Sequence, residues 1–356
     1  MSWVKFEKVV KTYGSVTALQ SLDLHIEEGE FLTLLGPSGC GKTTTLRLIA
    51  GFINPTSGNL YLGDEEITNL PPEKRNVGMV FQDYALFPHM TIEDNIAFGL
   101  VERGVEKGTI HKRVRELLDL VSLPGVIDRY PAQLSGGQQQ RIAVARAVAY
   151  APKVLLMDEP LGALDLKLRE SMQVELRRIQ RELGITAVYV THDQTEAMNM
   201  SDRIAVMNHG VIDQVGTATE IYDTPRTKFV ADFVGQINFL PGRIISRDAD
   251  WTVVEIASGR SRVSSSGAMP VGSSITLAIR PESLRIVKSS GENNGINEIH
   301  GTIRDIRFAG NLSMVHVGLD DTNHVNVEVR RSDAIGEVGQ TVSIVWDPKD
   351  SIVLAD

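Results

Sequence analysis

The chain has 356 residues, which is too long for one ordinary core and suits two domains. Hydrophobic residues make up 42% and charged residues 23%, a balance typical of a soluble globular protein, and no segment approaches the roughly 18–20 uncharged apolar residues needed to span a bilayer. The net charge of −9 disfavours a nucleic-acid partner, and the single cysteine rules out an internal disulfide and a cysteine-based zinc site. The first ten residues contain no apolar signal core, so we expect a cytoplasmic protein.

The first 235 residues alternate between strand and helix patterns. Short apolar runs that end in Gly, Asp or His are typical of strands buried on both faces of a parallel sheet. These predicted strands are 31–36 (FLTLLG), 77–81 (VGMVF), 153–158 (KVLLMD) and 186–193 (TAVYVTHD). Helical patterns begin near residues 42, 111, 137 and 166. We therefore expect an α/β domain over residues 1–235.

The pattern changes in residues 236–356. Short alternating segments separated by Gly, Ser, Asn and Asp indicate many short strands, as in a small all-β barrel or sandwich. The segments are 252–256 (TVVEI), 275–279 (ITLAI), 314–319 (MVHVGL), 324–329 (HVNVEV) and 342–346 (VSIVW). The sequence therefore predicts a second, all-β domain.

A glycine-rich segment, residues 36–43 (GPSGCGKT), matches the pattern G-x-x-x-x-G-K-[ST] between a predicted strand and a predicted helix. In such a loop the backbone amides and the helix N-terminus face the β-phosphate. Lys42 would reach the β- and γ-phosphates, and the Thr43 hydroxyl would hold Mg²⁺. The sequence thus predicts a nucleoside triphosphate site made by Gly36, Ser38, Gly39, Cys40, Gly41, Lys42, Thr43 and Thr44.

Two acids, Asp158 and Glu159, follow the predicted strand 153–158. Paired acids after a buried strand are costly unless they meet a cation or transfer protons. We expect Asp158 to hold Mg²⁺ through water and Glu159 to act on the hydrolytic water. By themselves, such acids could equally well be caps at the end of a strand.

A second glycine-containing segment, residues 134–138 (LSGGQ), precedes another predicted helix. Its free amides and helix dipole would create a second anion site at Ser135, Gly136, Gly137 and Gln138. One chain would then carry two phosphate-binding helix N-termini. A plain capped helix start is the alternative for this segment taken alone.

With these motifs in this order, residues 1–235 resemble an ABC-type ATPase domain. The resemblance implies an α/β P-loop NTPase fold with a helical subdomain near residues 85–150. It also implies ATP and Mg²⁺ as ligands, and a dimer of two copies in which the LSGGQ segment of one copy covers the γ-phosphate bound by the other. ATP would close this dimer, and hydrolysis would reopen it.

The same resemblance assigns roles to further residues. It implies that Tyr13 stacks on adenine, although an ordinary structural aromatic is the alternative. Gln82 would sense Mg²⁺ and the attacking water, so that the metal site comprises Thr43, Gln82 and Asp158. Asp165 would lie in the loop that communicates between the two sites, and His192 would contact the γ-phosphate beside the catalytic Glu159.

Two classes of protein contain an ATPase domain of this kind: transporter subunits, and soluble ABC proteins of the repair or ribosome-associated type. The chain lacks room for the long coiled coil of repair proteins and has one P-loop where ribosome-associated relatives have two, so transport is favoured. Residues 83–100 support it: the family resemblance makes this segment a groove for the membrane subunit. We expect its apolar side chains to be exposed, namely Tyr84, Leu86, Phe87 and Met90. Core filling is the alternative.

The C-terminal part, with residues 279–286 (IRPESLRI) near its middle, resembles the OB-like or TOBE-like domain of importer ATPases. Within that set the sequence is most similar to polyamine (spermidine/putrescine) importers, and importers of ferric iron, aminoethylphosphonate, sulfate or sugar are the alternatives. The resemblance implies two membrane-spanning permease subunits, an extracytoplasmic solute-binding protein and a peripheral location on the cytoplasmic face of the inner membrane. The C-terminal domain would support dimerisation or regulation.

Cys40 lies inside the predicted phosphate loop, beside a helix N-terminus and Lys42. Such surroundings stabilise a thiolate, so we expect a reactive cysteine whose alkylation stops ATP hydrolysis and is prevented by bound ATP. An inert small residue is the alternative.

Overall fold

The apolar runs of the first part of the chain form strands of one six-stranded sheet in the computed structural model. The structure describes residues 2–162, 164–248, 250–256, 259–264, 269–287, 295–333 and 336–355. These divide into two units, Met1–Glu220 and Ile221–Asp356. Residues 221–235 group with the second unit, and the domain limit near residue 235 stays a prediction.

The central sheet of the first unit is parallel except at one edge. Its strands are β3 (Phe31–Leu35), β6 (Val77–Val80), β7 (Val154–Asp158), β8 (Thr186–Thr191), β9 (Arg203–Asn208) and β10 (Val211–Gly216). Their order is β10-β9-β3-β8-β7-β6, and only the β9–β10 pair is antiparallel. Every residue of β3 and β8 is buried, as expected for strands covered on both faces. The predicted parallel sheet is therefore confirmed.

A second, antiparallel sheet in this unit has the order β2-β1-β4-β5. Its strands are β1 (Ser2–Tyr13), β2 (Val16–Glu27), β4 (Ser57–Leu62) and β5 (Glu65–Glu66). β1 and β2 form a hairpin whose last pair joins Tyr13 to Val16. This hairpin matters for the site because Ala18, on β2, lines the phosphate loop.

The helices of the first unit follow the predicted order. They are α1 (Lys42–Ala50), α2 (Ile92–Val101), α3 (Lys107–Leu120), α4 (Gly136–Val148), α5 (Leu166–Leu183) and α6 (Gln194–Met200), and α7 (Ala218–Asp223) spans the division between the units. α2, α3 and α4 pack against one another around a shared apolar core. They lie within residues 85–150, where a helical subdomain is expected.

Side-chain caps explain where several helices begin. Ser135, Asp165 and Asp193 each accept a backbone N–H from the first turn of the helix that follows. At the other end, α1 and α5 stop at Gly51 and Gly184, which adopt left-handed backbone conformations. Local sequence therefore sets these helix ends.

The second unit is mostly β structure, as predicted. After α8 (Lys228–Phe233), its strands are β11 (Asn238–Arg247), β12 (Trp251–Ile256), β13 (Gly259–Ser264), β14 (Ser274–Ile279), β15 (Arg285–Val287), β16 (Asn297–Phe308), β17 (Leu312–Gly318), β18 (His324–Arg330), β19 (Thr341–Trp346) and β20 (Ser351–Ala355). They form two five-stranded antiparallel sheets, β13-β12-β11-β14-β20 and β15-β19-β16-β17-β18. Alternating burial along β16 and β18 fits sheets with one face in a core. Across the described residues of both units, no helix has the length and apolarity needed to cross a membrane.

Candidate functional site: a phosphate loop facing two acids

The loop between β3 and α1 folds as a phosphate cradle because glycines occupy the positions that other residues cannot. Gly39 and Gly41 have φ angles of +79° and +109°, a region that L-residues with side chains rarely adopt. At Gly36 a Cβ would lie 2.3 Å from the carbonyl oxygen of Met207. At Gly41 a Cβ would lie 2.9 Å from the carbonyl oxygen of Ala18. The loop therefore fits against β2 and β9 only with these glycines.

Lys42, the first residue of α1, is held inside this loop. Its side chain is buried, and its Nζ donates to the carbonyl oxygens of Gly36 (2.7 Å) and Pro37 (2.9 Å). A buried ammonium needs such acceptors or an anion. The positive charge is thus fixed at the N-terminus of a helix, where anions are favoured.

A cleft of about 290 Å³ opens over this loop. Its lining combines the phosphate loop with a residue from the end of β7 and one from β2: Ala18, Ser38, Gly39, Gly41, Lys42, Thr43, Thr44 and Glu159. Gly36 and Cys40 do not belong to the lining. Our sequence analysis missed Ala18, although it lies in the segment 12–19 that also contains Tyr13. A small side chain beside the loop is too weak a signal to find without the hairpin geometry.

Asp158 lies next to Thr43, as predicted. The Thr43 hydroxyl donates to Asp158 Oδ1 at 3.1 Å. Burial is the largest influence on the Asp158 carboxyl and raises its pKa, and the neighbouring charge of Glu159 raises it further. A carboxylate held in this way is prepared to interact with a cation.

Glu159 follows directly and has a strained backbone. Its φ is +43°, an uncommon value for a non-glycine residue that clusters at functional sites. Its N–H donates to Val190 O at 3.0 Å, which holds the residue against β8. His192 Nδ1 lies 3.2 Å from Glu159 Oε2, within hydrogen-bonding distance. We predicted three catalytic residues, Glu159, His192 and Gln82, and the structure brings the first two together.

Three other predicted residues lie outside the cleft lining. Gln82 is exposed and lies two residues after the end of β6 at Val80. Tyr13 is 47% exposed at the end of β1, with the ammonium of Lys11 5.0 Å from its ring centre. Asp165 caps α5 by accepting the N–H of Leu168 at 3.1 Å. An exposed aromatic ring is available for stacking, and the role of each of these residues stays a prediction.

The LSGGQ segment begins α4 with a reciprocal cap. Ser135 accepts the N–H of Gln138, and the Gln138 side chain accepts the N–H of Ser135 at 3.0 Å. Gly136 is exposed, whereas Gly137 is buried against Leu168. None of these residues lines the cleft over the phosphate loop of the same chain.

The expectation of a reactive Cys40 was wrong. The thiol is 3% exposed, and burial raises its pKa more strongly than the nearby charge of Lys42 lowers it. The side chain packs beneath the loop, where it belongs to the apolar core of the first unit. Lys42 and the helix N-terminus are close, but desolvation outweighs them.

The apolar segment after Gln82 is less exposed than we expected. Tyr84 is 7% exposed and packs in the core, while Leu86, Phe87 and Met90 are half-buried. Asn95 fixes the segment by accepting the N–H of Phe87 and donating to its carbonyl oxygen. Tyr84 has a left-handed backbone, φ +62°, which turns its ring inward, and a residue-type pattern cannot reveal this.

Comparison with known proteins follows the same division of the chain. The ABC transporter family matches residues 19–162, and the TOBE domain family matches residues 277–354. The chain is 50% identical to the spermidine/putrescine import ATP-binding protein PotA of Thermobifida fusca, covering 99% of this chain and 93% of that protein. The protein of the same description from Bacillus cereus is 46% identical, with 99% and 98% covered.

Solved structures resemble the first unit. The bacterial ABC transporter cassette MJ0796, described as dimeric, is 35% identical, has a TM-score of 0.55, and matches 60% of this chain and 98% of its own. MJ0796 has also been solved in a post-hydrolysis state with ADP and Pi bound. CbiO1 of Clostridium perfringens, part of the transporter complex cbiONQ, is 30% identical with a TM-score of 0.59, covering 62% of this chain and 90% of that one.

The phosphate loop, the facing acids and the all-β second unit agree with these similarities. Because the ABC transporter and TOBE domain families match residues 19–162 and 277–354, and a relative 50% identical covers 99% of the sequence, this chain belongs to the ATP-binding proteins of ABC transporters that carry a TOBE domain, and it is an ABC-type ATPase.

Proposed function

We propose that this chain hydrolyses ATP to drive the import of a polyamine of the spermidine/putrescine type. It works as two copies beneath two membrane-spanning permease subunits, on the cytoplasmic face of the inner membrane. An extracytoplasmic solute-binding protein supplies the cargo indirectly. One observation carries the ATPase part of the proposal: Glu159 lines the same cleft as Lys42 and Thr43, and His192 lies 3.2 Å from its carboxylate.

Residues of the cleft and residues beside it divide the work of hydrolysis. Lys42 and the amides at the start of α1 hold the phosphates, with Tyr13 stacked on the adenine. The oxygen of a water attacks the γ-phosphorus, the bond to the bridging oxygen breaks, and ADP leaves with that electron pair. Glu159 accepts the proton of the water, and His192 keeps this carboxylate oriented while facing the γ-phosphate.

Thr43 and Asp158 fit a magnesium ion. A hydroxyl and a carboxylate oxygen 3.1 Å apart are oxygen donors of the kind that Mg²⁺ prefers. No group of three or more His, Cys, Asp or Glu side chains within the described residues could hold a metal by itself, which suits an ion that also binds phosphate oxygens. Gln82 would complete its surroundings. When bound, Mg²⁺ neutralises charge on the β- and γ-phosphates.

The position of the LSGGQ segment supports the dimer. Ser135, Gly136 and Gln138 do not line the cleft of their own chain, and we assign them to the cleft of a second copy. The dimeric cassette to which the first unit is similar agrees with this arrangement. Asp165, at the start of α5, would lie between the two sites, and ATP would favour the closed dimer because its γ-phosphate contacts both copies.

The cargo is proposed from similarity alone. The relatives named spermidine/putrescine import ATP-binding proteins match nearly the full chain at 46–50% identity. Each such relative is described as an ATP-binding protein, and we assign the cargo-binding groups to partner proteins.

Replacement of Glu159 by Gln tests the ATPase part. The amide cannot accept the proton of the water, so we expect at least a roughly hundredfold loss of ATP hydrolysis by the purified chain. ATP binding should survive, and size-exclusion chromatography in ATP should show a dimer that persists because ATP is not consumed. Turnover is measured as phosphate release.

Glu65→Gln is the matched control, because Glu65 is exposed on β5 in the other sheet of the first unit. It should behave as wild type in turnover and in size. Normal hydrolysis by Glu159→Gln would show that Glu159 is not the base. A monomer in saturating ATP would count against the two-copy site.

Uptake in the host cell tests the cargo. Deletion of the gene should abolish accumulation of labelled spermidine and putrescine, and the wild-type gene, but not the Glu159→Gln gene, should restore it. Ferric iron, aminoethylphosphonate, sulfate and sugar uptake are measured in the same strains. If uptake of one of these four solutes is lost while polyamine uptake is intact, that solute is the cargo, and the ATPase part of the proposal is unaffected.

A further inference from the structure

Arg169 connects two loops that border the cleft. It is the fourth residue of α5, and its guanidinium makes two hydrogen bonds in different directions. Nη2 donates to Leu164 O at 3.1 Å, in the loop before α5. Nη1 donates to Oδ2 of Asp193 at 3.2 Å, and Asp193 directly follows His192 in the sequence. One rigid, planar group thus joins the segment after Glu159 to the segment that carries His192.

Asp193 is a fixed partner for this contact. Its Oδ1 caps α6 by accepting the N–H groups of Thr195 (2.8 Å) and Glu196 (3.2 Å). Its own N–H donates to Thr191 Oγ1 at 2.9 Å. Since Asp193 is held at both its backbone and its side chain, the guanidinium is anchored to a part of the chain that cannot shift freely.

A buried carboxylate strengthens the anchor. Glu196 is 3% exposed, and its Oε2 accepts the hydroxyls of Tyr189 and Thr191, both at 2.7 Å. Its Oε1 lies 3.8 Å from Nε of Arg169. Removing a charged partner from a buried carboxylate is costly, so Arg169 is held in place by Glu196 as well as by Asp193.

The same side chains surround one small space. A cavity of about 40 Å³ is lined by Glu159, Gly162, Arg169, Thr191, His192, Asp193 and Glu196. Gly162 N also donates to Glu159 O at 3.2 Å, which ties the loop back to the proposed base. Displacement of the guanidinium would therefore be felt by Glu159 and His192, even though the described contacts of Arg169 include neither of them.

We propose that Arg169 is a positioning residue for ATP hydrolysis. By clamping Leu164 to Asp193, it keeps the loop before α5 and the loop after β8 in one arrangement, in which the Glu159 carboxylate and the His192 ring meet. This rests on the proposed function, because it assigns Arg169 a part in the same reaction. Because the Arg169 guanidinium bonds both Leu164 and Asp193, a movement of the loop before α5, which contains Asp165, would also shift the segment that carries His192.

Arg169→Met tests the clamp, because Met keeps an unbranched apolar stem in place of the arginine stem and removes both hydrogen bonds. A misplacement of a catalytic group by about 1 Å costs on the order of a hundredfold in rate. We expect kcat to fall between about tenfold and hundredfold. The KM and the affinity for ATP should stay within about twofold of wild type, because Arg169 does not line the cleft over the phosphate loop.

Arg169→Lys separates positioning from charge. Lysine keeps a positive charge beside Asp193 and Glu196 but cannot bridge to Leu164 with the same planar fork. We expect the melting temperature of Arg169→Lys to equal that of wild type, while its kcat is at least about threefold lower. It also decides the question if Arg169→Met does not fold.

Arg181→Met is the matched control, since Arg181 is exposed on the same helix, about 18 Å further along its axis. It should have wild-type kcat. The inference fails if Arg169→Met hydrolyses ATP like wild type, if it loses ATP affinity in proportion to turnover, or if Arg169→Lys restores full turnover. Glu159→Gln in the same assay distinguishes the proposed ATPase mechanism from the role of Arg169. If Glu159→Gln is inactive while Arg169→Met has normal activity, only the role of Arg169 is overturned.

Discussion

The two glycine-rich helix starts of the first unit, at α1 and at α4, are built in opposite ways. α1 begins after Gly41, which has φ +109° and no side chain with which to cap the helix. α4 begins after Ser135, whose hydroxyl and backbone are engaged in a reciprocal cap with Gln138. Both segments predict an anion site from sequence, but only the first stands open to a ligand within its own chain.

The difference shows what each N-terminus requires. At α1, the amides of the first turn and the ammonium of Lys42 converge on one cleft together with Glu159, so a single chain supplies a phosphate cradle. At α4, the side chains of Ser135 and Gln138 already accept backbone N–H groups at the helix start, and the exposed Gly136 does not line that cleft. Within one chain, the N-terminus of α1 lines the cleft over the phosphate loop and the N-terminus of α4 does not.

Gly41→Ala should show the largest effect. A Cβ at this position would lie 2.7 Å from Leu19 Cδ2 and 2.9 Å from Ala18 O, and φ +109° is strained for alanine. Strain and overpacking of this kind each cost about 1–3 kcal/mol. We expect a clear fall in melting temperature and at least a roughly hundredfold loss of ATP affinity, measured by calorimetry on the purified chain.

Gly136→Ala is its matched control at the other helix start. A Cβ there would make ordinary contact with Leu164 Cδ2 at 3.4 Å, and Gly136 has no positive φ. The isolated chain should therefore keep its melting temperature and its ATP affinity within about twofold, since alanine is well tolerated in a helix. Equal losses of ATP affinity in the two variants would contradict the distinction between the two N-termini.

Cys40 should show a smaller effect, in its rate of labelling. Because burial encloses the thiol and raises its pKa above the ordinary value of 9.0, less thiolate is present at neutral pH than in a free thiol. We expect maleimide to react with the native chain at pH 7 at least about tenfold more slowly than with the unfolded chain. The rate should still be rising with pH beyond 9.0.

Cys40 is the single cysteine of the sequence, so the measurement has one labelling site. Labelling of native Cys40 at pH 7 at the speed of a free thiol would restore the original expectation of an activated cysteine. Slow labelling that ATP does not alter would place the thiol beneath the loop rather than within the nucleotide site.

Much of the fold follows from sequence because its signals are local. β3, β7 and β8 are mostly apolar and almost wholly buried, and α5 places Met172, Leu176 and Ile179 on one buried face. The phosphate loop is also readable, since only glycine adopts the backbone of Gly39 and Gly41. These features depend on neighbours within a few residues.

The burial of single side chains could not be read in the same way. Cys40 and Tyr84 were both expected to be accessible, and both are covered by residues distant in sequence. For Cys40, the sequence reveals the adjacent charge of Lys42 but not the desolvation that outweighs it. Ala18 lines the cleft because the β1–β2 hairpin folds over the loop, which no local pattern indicates.

The sequence by itself determined the phosphate loop, the paired acids Asp158 and Glu159, and the α/β-then-β order of the chain, because each depends on backbone conformation or on side-chain chemistry at fixed spacing. Only the tertiary structure decided which groups meet. Glu159 and His192 are 33 residues apart, and Arg169 joins the loops beside them. Their contacts depend on β7 and β8 lying side by side in the sheet, and strand order is set by the packing of the whole unit.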